Sequence, residues 1–478
     1  MYLSKFAIAA AWLSGLASAD INGRHAPNNT YKHVAFFSID GMHSSDIEKW
    51  VASKPQGAIA KLLETGYWYK GALTSAPSDS FPGTVNLVAG ADPALSGVWY
   101  DDAYVLYDET KDYDNTKLWS SPNPTVVGGN INPENLPQAI VDGKCVNLYP
   151  HKRLRVNTIF EVVHEHGGQT AYTDKHPSYD IVRGPSGKGL SVGYFPEIQS
   201  LDTTNVTQII GYDKLHVQAY INWISGTSPA NTEVQEALTG PPTLFGGNFQ
   251  AVSVAQKSYG YQTGSLSFTS QLASALDFVD NSLGSVVAEL QKKGISHDTL
   301  IFVCSKHGQA PIDPKLYRKI NQSLIEPSSG VKMAQVTADD IGLLWLDNQN
   351  DLDKAVAGLS KNKTLLAISD IIYGNRLIAE GYGNPKTDPA VPDIIIVPEL
   401  GVVYTTSTSK IAEHGGFSND DRNVACFASN PSLSKQVFTQ QVSTAQLAPT
   451  VLHVLGLNPA KLDSVRHSAV EILPGFTD

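Results

Sequence analysis

Buried strands that alternate with helices, each strand ending in polar residues, constrain the fold of this chain more than any other feature. Residues 33–39 form a continuous apolar run that ends at Asp40, and residues 299–304 form a second run that ends at Ser305. Continuous apolar runs are typical of parallel strands covered on both faces. Residues 269–293, before the second run, carry apolar side chains at helical spacing. The pattern predicts a doubly wound α/β fold whose ligands gather at the carboxyl edge of the sheet.

Further segments extend this alternation along the chain. We predict helices over 44–64, 84–89 and 443–455, and strands over 71–74, 169–172 and 393–397. Two long polar stretches rich in Gly and Pro, about 108–152 and 184–248, exceed the usual length of a connection, and we predict that they are insertions capping the site. We see no linker between independent units, so residues 20–478 are predicted to form one catalytic domain.

The composition limits the partners of the protein. The chain has 478 residues, of which 42% are hydrophobic and 17% charged, and its formal net charge is −11. This profile indicates a packed globular protein. The negative charge makes binding to a nucleic-acid polymer or to anionic lipid unexpected. A small anionic substrate would need local cations to offset this field. The oligomeric state does not follow from the sequence.

The first 19 residues have the pattern of a secretion signal. They contain Lys5, an apolar run over 6–13 and the exit Ala17-Ser18-Ala19, which is the pattern that signal peptidase cleaves. The alternatives are a buried helix or a membrane anchor, but the run is shorter than the ~20 residues that a span needs. We therefore expect a secreted, extracellular protein without a membrane anchor, beginning at Asp20.

Sequons and cysteines are consistent with export. Four Asn-x-Ser/Thr sequons are predicted glycosylation sites on surface loops: Asn28, Asn205, Asn321 and Asn362. Three cysteines allow at most one disulfide. Cys304 lies within an apolar run and is predicted to be buried, whereas Cys145 and Cys426 form a candidate pair.

Four polar residues at strand ends or in neighbouring Gly-rich loops are candidates for chemistry. Asp40 precedes Gly41 and is either part of a tight turn or a metal ligand. Ser80, in Ser80-Phe-Pro-Gly83, is either an N-cap or a nucleophile at the positive end of a helix. His307 and His414 are each more often structural when taken alone. Their combination at one sheet edge favours a catalytic site.

The order of these motifs resembles the type I phosphodiesterase/nucleotide pyrophosphatase branch of the alkaline phosphatase superfamily. The similarity runs from Ile39-Asp40-Gly41 through Ser80-Phe-Pro-Gly83, Asn86 to Gly90 and Lys306-His307-Gly308 to His414-Gly415. The resemblance implies a three-layer αβα sandwich with a mostly parallel sheet. It also implies a Ser or Thr nucleophile held against two metal ions, usually zinc, that attacks a phosphoester to give a covalent phospho-enzyme.

Residue by residue, the resemblance assigns Ser80 as nucleophile, Asp40 and His307 as ligands of one metal, and His414 as a ligand of the other. Asp101 falls where the family binds phosphate through Asn. Lys306 stands where the family has an Asp ligand, and Gln256 and Gly260 stand where it has an Asp and a His. A charged ammonium has no lone pair for zinc. A full dimetal site is therefore doubtful, although Lys306 can supply fixed positive charge in its place.

The segment Thr173-Asp-Lys-His-Pro177 is either a polar surface loop or a second part of the site. As part of the site, it offers Lys175 and His176 for substrate binding and Asp174 as a further candidate ligand, alongside Asp102. We expect a secreted hydrolase of phosphate esters, of the phosphodiester or nucleotide pyrophosphate type, that uses Ser80, Lys306 and at least one divalent metal. The alternative is a divergent member with another reaction or a binding role on a small metabolite.

Overall fold

The structure is a computed structural model, and it describes residues 30–103, 113–114, 131, 136, 138–141, 144–198 and 201–477. A nine-stranded sheet crosses the molecule. Its strands lie in the order Gln436–Ser443, Gly66–Leu73, Cys426–Ser429, Thr299–Cys304, His33–Ile39, Leu244–Phe249, Thr170–Thr173, Val192–Tyr194, Glu233–Val234. Pairing is parallel except where Cys426–Ser429 and Glu233–Val234 meet their neighbours. The mostly parallel sheet that the alternation predicts is confirmed.

Helices cover both faces of this sheet and make three layers. On the central strand, Val34 and Phe36 enter the core on one face, whereas Ala35, Phe37 and Ile39 enter the core on the other, because successive side chains of a strand point to opposite faces. The helices over the first face are Ser80–Ala89, Ile159–Glu165 and Leu447–Val454. Those over the second are Ser44–Ser53, Ala58–Glu64, Val206–Ile224, Ala251–Ser258 and Ser270–Lys292.

In the sequence, the four strands of a smaller antiparallel sheet lie between the motifs that contain His307 and His414. Its strands follow the order Met333–Ala338, Gly342–Leu346, Ile394–Pro398, Ile368–Tyr373. Leu344, Ile394 and Ile396 pack in a core of their own with residues of Leu352–Lys361. The strand predicted over 393–397 therefore exists but lies in this sheet. The second sheet was not predicted from the sequence.

Shorter elements connect these layers. The remaining strands pair as Asp102–Ala103 with Tyr113–Asp114, Gln138–Val141 with Lys144–Asn147, and Arg318–Ile320 with Val402–Tyr404. The remaining helices are Pro93–Ser96, Ile325–Ser329, Asn375–Ala379, Asn419–Arg422 and Asp463–Ser468. Short 3₁₀ segments are Pro150–Arg153, Pro177–Arg183, Pro314–Leu316, Gln322–Leu324, Gln349–Asp351, Thr444–Gln446 and Pro459–Lys461. Within the described residues we find no helix of sufficient length and apolarity to cross a membrane.

Two predicted features are wrong. The stretch 184–248 is not a capping insertion, because it supplies two edge strands of the central sheet, most of Leu244–Phe249 and the helix Val206–Ile224. The pairing of Cys145 with Cys426 is also wrong. Cys145 is exposed, and Cys426 lies opposite Cys304 on paired strands with the two Sγ atoms 3.1 Å apart. Much of 108–152 lies outside the described residues, so its capping role stays a prediction.

The helix predicted over 44–64 is divided in two. Its first part ends at Ser53 and its second begins at Ala58. The break coincides with Pro55, which disfavours helical backbone in the residue before it; Lys54 has φ −130° and ψ 67°. The predicted strands over 33–39 and 299–304 match the observed bounds.

Candidate active site

The polar strand ends predicted from the sequence meet at one edge of the central sheet. Asp40 follows the strand His33–Ile39, and Lys306 and His307 follow the neighbouring strand. Asp174 and Lys175 follow Thr170–Thr173, two strands away on the other side of Asp40. The parallel direction of these strands brings their carboxyl ends together. The helix Ser80–Ala89 begins at the same edge.

Asp40 lies between two lysines, and we call Asp40, Asp174, Lys175 and Lys306 the Asp40 cluster. The Nζ atom of Lys306 lies 3.2 Å from Oδ1 of Asp40, and Nζ of Lys175 lies 3.2 Å from Oδ2. Lys306 also approaches Oδ2 of Asp174 at 3.7 Å. The side chains of Asp40, Asp174 and Lys306 are fully buried. Each buried charge in the cluster therefore has an opposite charge beside it, as burial requires.

The charges of this cluster shift the pKa values of its members. Burial disfavours the ionised form of Asp40, but the positive charges of Lys306 and Lys175 outweigh it and hold the pKa of Asp40 below its ordinary value. Burial lowers the pKa of Lys306, against the opposing effect of Asp174 and Asp40. Burial also acts against the charged form of Lys175, yet Asp40 and Asp174 raise its pKa. The cluster thus holds Asp40 as a carboxylate and Lys175 as an ammonium.

Ser80 is the first residue of a buried helix and its hydroxyl is directed at this cluster. Asp79, not Ser80, is the N-cap, because its side chain accepts a hydrogen bond from the Phe81 backbone at 3.1 Å. The Ser80 Oγ lies 3.2 Å from Nε2 of His307 and 3.4 Å from Nζ of Lys175. Ser80 is only 4% exposed. The hydroxyl therefore has both a proton acceptor and a positive charge within reach.

The backbone fixes the orientation of the His307 ring. Its Nδ1 lies 2.9 Å from the carbonyl oxygen of Gly308, which can only accept a hydrogen bond. Nδ1 therefore carries the proton in the neutral ring, and Nε2 presents a lone pair to Ser80. Burial lowers the pKa of His307 to about 3. The ring is consequently neutral near pH 7 and able to accept the Ser80 proton.

Close packing holds the Ser80 helix against Lys306. A Cβ atom on Gly83 would lie 2.1 Å from the carbonyl oxygen of Lys306, so only glycine fits at this position of the helix. The same carbonyl accepts a hydrogen bond from Oγ1 of Thr74 at 2.6 Å. Nζ of Lys306 donates to the hydroxyl of Tyr179 at 2.8 Å. These contacts fix the position of Lys306 against the helix that begins with Ser80.

A second carboxylate between two lysines forms the opposite wall, and we call Glu413, Lys257 and Lys410 the Glu413 cluster. Each carboxylate oxygen of Glu413 forms a short ion pair, Oε1 with Lys257 and Oε2 with Lys410. Burial disfavours the ionised form of Glu413, but Lys257 and Lys410 lower its pKa to about 2. The ammonium groups of both lysines therefore form ion pairs with Glu413.

Further acidic groups surround this second cluster. Burial, followed by repulsion from Glu413, raises the pKa of Asp339 to about 7. Asp339 accepts a hydrogen bond from the Tyr100 hydroxyl at 2.9 Å, and it lies in the turn between the first two strands of the smaller sheet. Burial and the charge of Asp101 raise the pKa of Asp79. Asp339 and Asp79 therefore bind protons more readily than Asp40 does.

His414 connects the two walls. Its ring centroid lies 3.8 Å from that of His307, its Nδ1 lies 3.3 Å from Oδ1 of Asp79, and its Nε2 lies 3.6 Å from Oε1 of Glu413. Burial and the neighbouring His307 lower the pKa of His414. Between the walls is a cleft of about 150 Å³. It is lined by Ser80, Phe81, Asp101, Lys175, His176, Tyr179, Lys257, Asp339, Lys410, Glu413 and His414.

The residues around Asp40 do not fit the divalent ion that the sequence resemblance implies. Both carboxylate oxygens of Asp40 face ammonium groups at 3.2 Å, and these would repel a dication. The His307 Nε2 is directed at Ser80. On the opposite wall, both oxygens of Glu413 are paired with lysines. Across the described parts of the chain, His, Cys, Asp and Glu form no group of three or more able to hold a metal ion.

The structure brings together most of the residues predicted from the sequence. Asp40, Ser80, Asp174, Lys175, Lys306, His307 and His414 meet at the sheet edge, and Asp101 and His176 line the cleft. The side chain of Asp102 lies outside the described residues. Gln256 does not face the cleft, because its Nε2 donates to the carbonyl of Gly41 at 2.8 Å and lies near Asp46. Lys410, Tyr179 and Asp339 were not predicted.

Known proteins share the sequence pattern and the fold of this chain. The family model for type I phosphodiesterase / nucleotide pyrophosphatase matches residues 34–419, a span that includes Asp40, Ser80, His307 and His414. The chain belongs to this family. A search among curated proteins gave no match.

Solved structures of the superfamily have the same fold. Murine ectonucleotide pyrophosphatase/phosphodiesterase 5 superposes with a TM-score of 0.59 at 13% identity, covering 90% of this chain and 96% of that chain. An inactive variant of the murine protein in complex with AMP gives 0.60 at 13% identity, with the same coverage. Wild-type alkaline phosphatase PafA gives 0.58 at 14% identity, covering 89% and 96%. The fold is therefore alkaline-phosphatase-like, as the sequence resemblance predicts.

Proposed function

We propose that this phosphodiesterase-family protein hydrolyses small phosphate esters, of the phosphodiester or nucleotide pyrophosphate type, with Ser80 as the nucleophile. The observation that carries the proposal is the position of the Ser80 Oγ, 3.2 Å from Nε2 of His307 and 3.4 Å from Nζ of Lys175. A hydroxyl needs a base or a lowered pKa to act as a nucleophile. Ser80 has a neighbour suited to each role.

In this proposal His307 accepts the proton of Ser80 as the Oγ attacks phosphorus. Its neutral ring, with the Nδ1 proton directed at Gly308, leaves Nε2 free for this transfer. The ester oxygen departs and a phosphoseryl intermediate remains. In the second step water attacks phosphorus, and His307 returns the proton to Oγ as the bond from Ser80 to phosphorus breaks.

Lysines supply the positive charge that the anionic substrate requires. Lys175 lies beside Oγ and lines the cleft, so its ammonium can stabilise the non-bridging oxygens of the transition state. Lys306 is fully buried behind Asp40 and acts by holding that carboxylate and Tyr179 in place. We omit a metal ion from this mechanism because the groups around Asp40 do not accommodate one.

Nucleotides are the proposed substrate class. A murine relative of the same fold was solved with AMP bound, and the cleft places the Lys175 ammonium beside Ser80, where it suits a phosphate group. We further propose that the protein is secreted and glycosylated. Asn28 and residues 1–19 lie outside the described residues. Asn321 is exposed and Asn205 partly so, whereas Asn362 uses its Nδ2 to donate to Ser328 and Gly358.

The second candidate function is a different reaction, or a binding role, on a small anionic metabolite. The observation that favours it is the occupation of both oxygens of Asp40 by lysines rather than by metal. This arrangement departs from the dimetal mechanism that the family resemblance implies. An anion-binding protein would retain the lysines without needing Ser80.

Turnover measurements separate the two candidates. The substrates are bis-p-nitrophenyl phosphate, p-nitrophenyl phosphate and p-nitrophenyl sulfate, each with wild type and Ser80→Ala, alongside elemental analysis for metals. Hydrolysis of the diester that falls by about 10³-fold or more in Ser80→Ala supports the hydrolase. Turnover of none of the esters, or turnover that Ser80→Ala leaves unchanged, would exclude it.

A further inference from the structure

His176 and Glu197 form a histidine–carboxylate pair on the wall of the active-site cleft. The Nδ1 of His176 lies 2.6 Å from Oε1 of Glu197. His176 is 7% exposed and Glu197 is 4% exposed, and His176 is one of the residues that line the cleft. The small exposed part of the ring therefore faces the space in which substrate would lie.

The backbone holds this pair rigidly. The backbone N–H of Ile198 donates to the carbonyl of Lys175 at 3.2 Å, which ties the segment that carries Glu197 to the segment that carries His176. The hydroxyl of Tyr212 donates to the carbonyl of Pro196 at 2.6 Å. The carboxylate can only accept, so His176 Nδ1 carries the shared proton. Nε2 is then the ring atom left for the cleft, and no described residue hydrogen-bonds to it.

A phosphoester cleaved without a metal ion needs another group to neutralise the departing oxygen, because an alkoxide is a poor leaving group without a proton. The lysines on the far wall, Lys257 and Lys410, are paired with Glu413. Lys175 is directed at Asp40 and Ser80. His176 follows Lys175 in the chain and lines the same cleft, so it can reach the same bound phosphoester.

We propose that His176 is the acid–base residue on the leaving-group side and that Glu197 is its positioning residue; this rests on the proposed function of Ser80. In the first step Nε2 of the imidazolium gives its proton to the ester oxygen as the bond from that oxygen to phosphorus breaks. In the second step the neutral Nε2 takes a proton from water as the water oxygen bonds to phosphorus. His307 accepts the Ser80 proton in the first step and returns it to Oγ in the second. Each histidine therefore returns to its starting state after one turnover.

The test compares two diesters that differ only in the leaving group, methyl p-nitrophenyl phosphate and methyl phenyl phosphate. p-Nitrophenolate departs without a proton, whereas phenolate benefits from one. We expect His176→Gln to lower kcat for the phenyl ester by about 10²–10⁴-fold and to change kcat for the nitrophenyl ester by less than about tenfold. Glu197→Gln should move the ratio of the two rates in the same direction by a smaller factor.

His151→Gln is the matched control. His151 also pairs through Nδ1 with a carboxylate, that of Asp180, but does not line the cleft, so its ratio of rates should equal that of wild type. An unchanged ratio in both His176→Gln and Glu197→Gln overturns the inference while Ser80-dependent turnover stands. A changed ratio in Asp339→Asn but not in His176→Gln also overturns it. Absence of Ser80-dependent turnover in wild type removes the proposed function and this inference together. If His176→Gln does not fold, Glu197→Gln decides the outcome.

Discussion

The two walls of the cleft each hold a carboxylate between two lysines, but they use the arrangement differently. In the Asp40 cluster the ammonium of Lys175 also reaches the Ser80 Oγ at 3.4 Å, and Asp40 remains ionised. In the Glu413 cluster both lysines bind the carboxylate in short ion pairs. The neighbouring Asp79 and Asp339 have raised pKa values because burial disfavours their charge.

This difference shows how one residue pattern supports two roles. Positive charge placed beside a nucleophile favours the development of negative charge there. An ammonium whose contacts are with a carboxylate alone, as those of Lys257 and Lys410 with Glu413, mainly holds that carboxylate in place. We therefore expect the Asp40 cluster to govern chemistry, and the Glu413 cluster to govern the shape and protonation of the opposite wall. Four changes test this contrast.

Removing the fully buried ammonium of Lys306 should have the largest effect. Lys306→Met leaves Asp174 without its nearest cation and Asp40 with one lysine instead of two. We expect the free energy of unfolding to fall by about 3–5 kcal/mol, as when one partner of a buried ion pair is lost. Lys257→Met, whose side chain is 21% exposed and whose carboxylate keeps Lys410, should cost less than about 2 kcal/mol. Urea unfolding measures both, and equal losses would contradict the contrast.

Removing the more exposed lysine from each cluster should separate the contributions of the two clusters to catalysis. Lys175→Gln removes the charge beside Ser80, and we expect kcat for a phosphodiester to fall by about 10²–10³-fold. Lys410→Gln removes an ammonium that pairs with Glu413 rather than with Ser80, so kcat should fall by less than about tenfold. Steady-state kinetics at saturating bis-p-nitrophenyl phosphate measures both variants. A larger loss in Lys410→Gln would reverse the assigned roles.

Replacing a lysine with a carboxylate should convert one wall into a metal site. In Lys306→Asp the new carboxylate would stand beside Asp40 and His307, a ligand set that suits zinc. We expect zinc affinity at least about tenfold higher than in wild type, because a repelling charge gives way to a ligand. Isothermal titration with zinc measures the change, and Lys410→Asp is the control on the opposite wall. No gain over wild type would show that Lys306 does not occupy a metal position.

Asp40 and Asp339 should respond to pH in opposite directions. Asp40 has a lowered pKa in the folded state, so its contribution to stability is present above about pH 4 and is lost on acidification. The pKa of Asp339 rises from 3.8 to about 7 on folding, so its contribution is present below about pH 4 and is lost as the pH rises to 7.

Asp339→Asn should therefore flatten the fall in unfolding free energy between pH 4 and pH 7, by up to about 1.4 kcal/mol per pH unit. Urea unfolding at several pH values measures the slope. Asp347→Asn, at an exposed surface position, should leave the slope unchanged. A slope in Asp339→Asn that matches wild type would show that Asp339 does not hold the extra proton.

Residues at the ends of apolar strands could be predicted, whereas residues carried by the second sheet could not. Asp40 and Lys306 each follow a continuous apolar run, and that pattern alone locates them at the carboxyl edge of the sheet. Asp339 lies in a hairpin turn of the smaller sheet, where Asp is a common turn residue. Its place in the cleft depends on how that sheet packs against Tyr100. Lys410 lies three residues before Glu413, but this stretch is not helical, so the spacing alone does not predict that the two side chains meet.

The stretch 184–248 shows a second limit of pattern reasoning. Its abundance of Gly and polar residues favoured a loop, yet Leu244–Phe249 is a central strand in which Gly246 and Gly247 are adjacent. A Cβ on Gly246 would lie 1.7 Å from the Phe36 carbonyl. The glycines permit close contact with the neighbouring strand, so a residue type that usually marks loops marks the sheet interior here.

The role of the segment from Asp174 to His176 depends on the number of its residues as well as on their identities. Its three consecutive residues contact Lys306, the Asp40–Ser80 pair and Glu197 respectively. A substitution there removes one contact, whereas deletion or insertion of one residue would misalign all three. Mutant libraries aimed at new substrates should therefore keep the number of residues between Thr173 and Pro177 constant.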